Sequence, residues 1–242
     1  MDMFTLSVLG EFLEACEGQP DQGRLMNALL GVTGRLGIDF FAAAFVPLPH
    51  ERLDPYFIWD HWPPGWFARY LKLNYFHIDP VVRVLRRTGR SVLWSQSLQT
   101  HTLPAKARRV MDEAKDYGLI DGLTIPLFSR SGMAGIFSLG GRRIKLTSAE
   151  IALLEIVATR AHGHLLDARG SDDSLEAEPY VTKTESLCLT WCSEGKTDRE
   201  IAQITGRSPR TVQAHIRNLQ LKLGVHNRAQ LVAEAFRRGL QR

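Results

Sequence analysis

From Thr182 onward the chain starts and stops a helix at four successive places, and this punctuation leaves little choice of fold for its last sixty or so residues. Thr182-Lys-Thr-Glu185 has the spacing at which a threonine hydroxyl and a glutamate cap one helix start reciprocally. The apolar residues Leu187, Leu189 and Trp191 follow, and Gly195 supplies a stop. Thr197-Asp-Arg-Glu200 repeats the box ahead of Ile201, Ala202 and Ile204, and Gly206 closes that segment. Ser208-Pro209 places a cap and a first-turn proline before Val212, Ile216, Leu219 and Leu223, with Gly224 at the end. Asn227 caps a last helix carrying Leu231, Ala235 and Phe236 up to Gly239. Segments this short bury their apolar faces only against each other, so the expectation is a compact all-α four-helix bundle.

Charge separates this bundle from the rest. Residues 180–242 hold 11 Lys/Arg against 5 Asp/Glu, a net of +6, whereas residues 1–179 hold 19 against 21, a net of −2. A basic module on a slightly acidic larger body points to a polyanion as partner of the tail. The boundary falls in Asp167 to Pro179, a polar, acidic run almost free of large apolar groups. The expected organisation is a ligand-binding domain over 1–168, a linker over 169–179 and the bundle over 180–242. There is no apolar run of about 18 residues to span a membrane. Met1 to Gly10 lacks the basic cluster of a secretory signal. Cys16, Cys188 and Cys192 lack metal-ligand spacing to histidine and suit a reducing compartment. A cytoplasmic protein without a membrane partner is expected.

The larger part reads as α/β. Leu9 to Leu36 has helical spacing, Asp39 to Val46 is strand-like, and Pro55 to Trp59 offers it a partner. Gly65 to Leu73 and Ala105 to Tyr117 read as helices. Leu123 to Phe128 and Met133 to Leu139 read as strands joined by a hairpin at Ser129-Arg-Ser-Gly132. Thr147-Ser-Ala-Glu150 boxes a final helix. Hairpin-linked strands between long helices imply an α-β-α sandwich with a mainly antiparallel sheet.

Within the bundle, the turn Gly206-Arg-Ser-Pro209 joins two short helices, the second placed to enter a major groove. Opposite its apolar face stand Arg210, Gln213, Ala214 and Arg217. Arginine pairs with guanine and glutamine with adenine, and a small alanine permits close approach. Lys196, Thr197, Arg207 and Lys222 sit at helix ends, where phosphate contacts fall. Through Thr182, Glu185, Leu189, Trp191, Gly195-Lys-Thr197, Glu200-Ile-Ala202, Ser208, Thr211-Val212, His215, Asn218, Lys222-Leu223, Val225 and Asn227-Arg228, the segment Tyr180 to Leu240 resembles the helix-turn-helix domain of the LuxR family. The resemblance implies double-stranded DNA as partner, base contacts at Gln213, Ala214 and Arg217, and a homodimer joined through the last helix and working with RNA polymerase.

A sensor remains to be identified. A phospho-receiver needs an acidic pair after its first strand and an aspartate acceptor at a strand end, but Phe40 to Val46 is followed by Pro-Leu-Pro-His and preceded only by Asp39, so that reading fails. What stands out is a set of aromatics around one acid: Trp62, Trp66, Tyr70, Tyr75 and Phe76 lead to Asp79-Pro80, and Trp94 follows. Trp66 and Tyr70, four apart, share a helix face. An apolar pocket carrying an indole N–H, a phenol and a carboxylate complements an apolar molecule with amide and carbonyl groups. Ordinary aromatic core packing is the competing account. The spacing Trp66, Tyr70, Asp79-Pro80, Trp94, Gly122 resembles the autoinducer-binding domain of quorum-sensing LuxR-type regulators. That resemblance implies an acyl-homoserine lactone as small-molecule effector, with no further cofactor. Trp66 would meet the lactone carbonyl, Asp79 the amide N–H, and Tyr70 with Ser138 the acyl carbonyl, while Trp94 would pack on the lactone ring. Leu71, Val81, Val82, Val110, Met111, Ala114, Leu119 and Ile136 would line the acyl pocket. Trp62 stands where many members have tyrosine, so the expected acyl group is branched, short or aromatic.

There is no Gly-x-Ser-x-Gly elbow, His-Glu-x-x-His pair or Gly-rich phosphate loop, and no enzyme is expected. Two alternatives to a lactone-responsive transcription regulator stand: the same architecture sensing a non-lactone molecule, and a protein-binding adaptor whose bundle docks on a partner.

Overall fold

The computed structural model describes residues 3–18, 21–47, 51–98, 103–129, 132–168 and 180–241. The proposed linker, 169–179, lies outside them, as do the central residues of the hairpin turn after Ser129. The described residues pack as two compact units, the first closing with the long helix that ends at Ala168.

In the first unit the order is α1 (Met3–Ala15), α2 (Gln22–Arg35), β1 (Phe40–Phe45), β2 (Phe57–His61), α3 (Pro64–Lys72), α4 (Pro80–Thr88), β3 (Val92–Leu93), α5 (Trp94–Leu98), α6 (Ala105–Asp116), β4 (Asp121–Ser129), β5 (Gly132–Gly141) and α7 (Ser148–Ala168). The strands form one five-stranded sheet in the order β2-β1-β5-β4-β3. The recorded pairings of β1 with β2 and β5, and of β3 with β4, are antiparallel. The apolar stretch Leu9 to Leu36 is two helices, with Asp21 capping the second through the Arg24 amide at 2.7 Å. Besides the expected elements the structure contains α4, as long as α3 and capped by Asp79, and the short β3 and α5, which span too few residues to show a period.

Strand alternation sends side chains to two different interiors. On one face Phe41 and Ala43 of β1, opposite Leu139 and Phe137 of β5, join Leu123, Ile125 and Leu127. They pack under α1, α2 and α7 through Phe12, Leu29, Leu153 and Val157. On the other face Ala42 and Ala44 stand opposite Ser138 and Ile136. Here the second core gathers Trp66, Val82, Leu85, Trp94 and Val110 from α3 to α6. The expected α-β-α sandwich is therefore what forms. Small alanines on the inner face of β1 leave space beneath those helices, while the phenylalanines fill the opposite side.

The second unit consists of α8 (Lys183–Ser193), α9 (Asp198–Thr205), α10 (Pro209–Lys222) and α11 (Arg228–Arg237). Both capping boxes form, at Thr182/Glu185 and Thr197/Glu200. Cys188, Leu189, Ile201, Val212, Leu219 and Leu231 make its core. No helix among the described residues is long and apolar enough to cross a membrane.

Candidate functional site

Between the alanine face of the sheet and helices α3 to α6 lies a cavity of about 60 Å³. Pro64 opens α3, so Trp66 and Tyr70 project one turn apart with ring centroids 5.7 Å from each other. Asn74, in the left-handed conformation at φ 50°, turns the chain after α3 and brings Tyr75 back onto Trp66 at 5.9 Å. The Tyr75 hydroxyl donates to Glu113 of α6 at 2.6 Å, and Arg69 and Arg109 donate to the same carboxylate. The Arg69 guanidinium, helped by Tyr75 and Arg109 against partial burial, holds the Glu113 carboxyl well below the usual range. This network ties α3 to α6 around the aromatic cluster.

Asp79 has two tasks. One carboxylate oxygen caps α4, accepting from the Val81 amide at 2.8 Å and the Val82 amide at 3.4 Å. The other accepts the Tyr70 hydroxyl at 2.7 Å. Burial pushes the Asp79 carboxyl above its ordinary value, and the Tyr70 and backbone donors offset part of the rise. Tyr70 is pushed well up, first by burial and then by the neighbouring carboxylate. Its proton is engaged with Asp79, so Tyr70 does not offer a donor to the acyl carbonyl as the resemblance implied. A carboxylate oxygen has two lone pairs, and the one holding Tyr70 keeps its second.

Across the cavity, Trp94 donates its indole N–H to the Thr124 hydroxyl at 2.9 Å, and Thr124 lies 3.1 Å from the Ser138 hydroxyl. Gly122 and Gly140 make room for this indole. A methyl on Gly122 would come within 2.7 Å of the Trp94 ring and 2.3 Å of the Leu139 carbonyl, and one on Gly140 within 3.1 Å of the ring. Trp62 sits against Trp94 with centroids 6.3 Å apart.

Of the residues named from sequence, Trp62, Trp66, Tyr70, Asp79, Val81, Val82, Trp94, Val110, Met111, Ala114, Ile136 and Ser138 line this one cavity. Leu71 and Leu119 do not: Leu71 packs half-buried behind the aromatic cluster, and buried Leu119 backs Gly140. Both rest on the family resemblance, and correspondence along the chain does not say which side of a wall a leucine faces. Thr124, Ala42, Ala44, Leu53, Phe57 and Phe67 line the cavity and were missed. The legible signal was one hydroxyl inside the apolar strand Leu123 to Leu127 and a run of alanines inside another.

In the second unit Gly206, at φ 65°, ends α9, and the Ser208 hydroxyl caps α10 through the Thr211 amide at 3.1 Å. Val212, Ile216 and Leu219 are buried, leaving Arg210, Gln213, Ala214 and Arg217 exposed on the opposite face. Lys196 is half-buried, Thr197 is engaged in its capping box, and Arg207 donates to the Thr184 hydroxyl at 3.2 Å. Lys222 requires a correction. Its ammonium holds the Glu185 carboxylate at 2.7 and 2.9 Å and the Tyr180 carbonyl at 2.9 Å. It is spent inside the bundle rather than offered to phosphate. Glu185 is buried, which by itself raises its carboxyl, yet Lys222 and the Thr182 donors bring it below the ordinary value.

Two family models match the chain: the autoinducer binding domain over residues 21–165, and the luxR family of bacterial regulatory proteins over 180–235. The chain is 32% identical over 216 residues to the transcriptional activator protein BjaR1 of Bradyrhizobium diazoefficiens, covering 88% of this chain and 87% of that one. It is 31% identical to the transcriptional activator protein SolR of Ralstonia nicotianae, covering 91% and 93%. The crystal structure of Escherichia coli SdiA matches with a TM-score of 0.62 at 24% identity over 99% of both chains. SdiA in complex with octanoyl-rac-glycerol matches at 0.61 and 23%, over 97% of this chain and 95% of that one. With an autoinducer-binding unit around the cavity and a helix-turn-helix unit following it in the sequence, the chain belongs to the LuxR family of quorum-sensing, DNA-binding transcription regulators.

Proposed function

We propose that this protein senses an acyl-homoserine lactone with a branched, short or aromatic acyl group and, as a homodimer in the cytoplasm, binds a two-fold symmetric promoter site beside RNA polymerase. Residues 1–168 would form the sensor, 169–179 the linker and 180–242 the DNA reader.

The observation that carries this is the hydrogen-bonding inventory of the cavity. With Tyr70 committed to Asp79, and Trp94 to Thr124, the wall still holds the Trp66 indole N–H, which has no hydrogen bond among the described residues, the Ser138 hydroxyl and a lone pair of Asp79. The Trp66 and Ser138 donors and the Asp79 lone pair complement a molecule with two carbonyls and one amide N–H, which is the polar part of an acyl-homoserine lactone, and the Trp62 indole on the same wall carries a further N–H. Trp66 would take the lactone carbonyl, Asp79 the amide and Ser138 the acyl carbonyl. Trp62, Phe57, Phe67 and Met111 crowd the remaining wall, which favours a compact acyl group. Ligand binding to the folded sensor would stabilise the dimer and hold two α10 helices about one DNA turn apart, ~34 Å, with Arg210, Gln213, Ala214 and Arg217 toward base edges and Lys196 and Arg207 toward phosphates.

The test is mass spectrometry of small molecules that co-purify from cells supplied with candidate lactones. Recovery of a lactone with 1:1 stoichiometry is expected. Recovery of a non-lactone acyl molecule instead, as in the octanoyl-rac-glycerol complex of SdiA, would replace this effector.

A further inference from the structure

The polar groups opposite Asp79 are joined in an order that has a direction. An indole N–H only donates, so the Trp94 contact at 2.9 Å makes the Thr124 oxygen an acceptor. Thr124 is buried, and among the described residues the acceptor within reach of its own proton is the Ser138 oxygen at 3.1 Å. Were Ser138 to donate instead, the Thr124 proton would be buried without a partner, a costly arrangement. The chain of donation therefore runs from Trp94 to Thr124 to Ser138. It leaves the Ser138 proton for the cavity. A hydroxyl that already accepts is also polarised into a better donor. The Trp94 ring packs directly against the backbone at Gly122 and Gly140, where an added methyl would come within 2.7 and 3.1 Å of it.

We infer that Thr124 is a specificity-determining residue: by donating to the Ser138 oxygen, it makes Ser138 a donor, so that this point of the wall selects a carbonyl oxygen. Tyr70 does not duplicate the role, because its proton lies on Asp79. The inference rests on the lactone reading above and names the residue that sets what its acyl carbonyl meets. Thr124 acts through Ser138 and is a positioning residue rather than the contact itself.

The test uses the full chain and isothermal titration with butanoyl-, 3-methylbutanoyl- and benzoyl-homoserine lactone, and with the thioamide analogue of the tightest. The thioamide keeps the N–H but accepts hydrogen bonds weakly. The unaltered protein is expected to prefer the amide by about tenfold, the order of one well-made hydrogen bond. Thr124→Val should cut that preference below about threefold, and Thr124→Ser should retain it. Ser138→Ala should lose it, and adding Thr124→Val to Ser138→Ala should change it no further. Trp94→Phe breaks the relay at its other end and should act in the same direction, which provides a test if Thr124→Val does not fold. A purely structural Thr124 would weaken amide and thioamide equally. An amide preference unchanged in Thr124→Val and Trp94→Phe, with a lactone still bound tightly, overturns this inference alone. Failure of the unaltered protein to bind any of the three lactones overturns the inference together with the lactone reading.

Discussion

Asp79 is a single side chain that both starts a helix and lines the cavity. Its carboxylate caps α4 and receives Tyr70, and burial raises its carboxyl above the ordinary value. An acid whose folded value is raised keeps its proton in the native state after the unfolded chain has lost it. Its contribution to stability therefore declines as pH rises from the unfolded value toward the folded one, and is level above that. A ligand amide donating to Asp79 favours the ionised form, so affinity is expected to fall as pH is lowered through the raised value. Titrations of the bound lactone from neutral pH downward check this. Asp79→Asn should abolish the response to ligand and remove this pH dependence; unchanged reporter activation in Asp79→Asn would refute the assignment. Gly122 is decisive for a different reason. A methyl there meets the Leu139 carbonyl at 2.3 Å and the Trp94 indole at 2.7 Å, so backbone or ring must shift to admit it. Gly122→Ala is expected to cost about 2 kcal/mol in urea unfolding and to loosen the Trp94–Thr124 bond, visible as altered tryptophan fluorescence.

Among the elements, α8 and α10 are joined by the Lys222–Glu185 pair, in which the carboxylate is almost wholly buried and the lysine is partly exposed. Removing the cation leaves a buried carboxylate with only the Thr182 donors. Lys222→Ala is therefore expected to destabilise the helix-turn-helix unit by about 3 kcal/mol. Glu185→Gln in the same background should recover part of the loss, because it neutralises the stranded charge. Chemical unfolding followed by helical circular dichroism checks both. Arg217 belongs to the other face of α10, exposed and without an ion pair among the described residues. Arg217→Ala should leave unfolding unchanged within about 0.5 kcal/mol while weakening duplex binding and flattening its salt dependence. The two cations lie five positions apart in sequence, and the contrast between the two variants separates holding the bundle from holding DNA.

At the scale of the whole molecule, the first unit has a hydrophobic core on each face of one sheet, and the cavity lies within the second of them. Filling it with a ligand at about 100 times its Kd adds about 2.7 kcal/mol to the folded state. A rise of about 5–10 °C in the Tm of the sensor transition is expected in calorimetry, with no matching shift for the helix-turn-helix transition. The linear sequence determined a great deal here. Capping boxes, first-turn prolines and exit glycines are local chemistry, written within four residues of each other, so the four helices of the reader and its exposed face were legible directly. The spacing of Trp66, Tyr70, Asp79 and Trp94 likewise named most of the cavity wall. Tertiary structure alone decided that Lys222 turns inward to a carboxylate 37 positions away, that Leu71 and Leu119 back the wall, and that Thr124 stands between Trp94 and Ser138. It also committed the proton of Tyr70 to Asp79. The reason is physical: a hydroxyl or an ammonium has no preferred partner until packing brings one within 3 Å or so, and which partner arrives depends on the pairing of distant strands and helices rather than on any period along the chain.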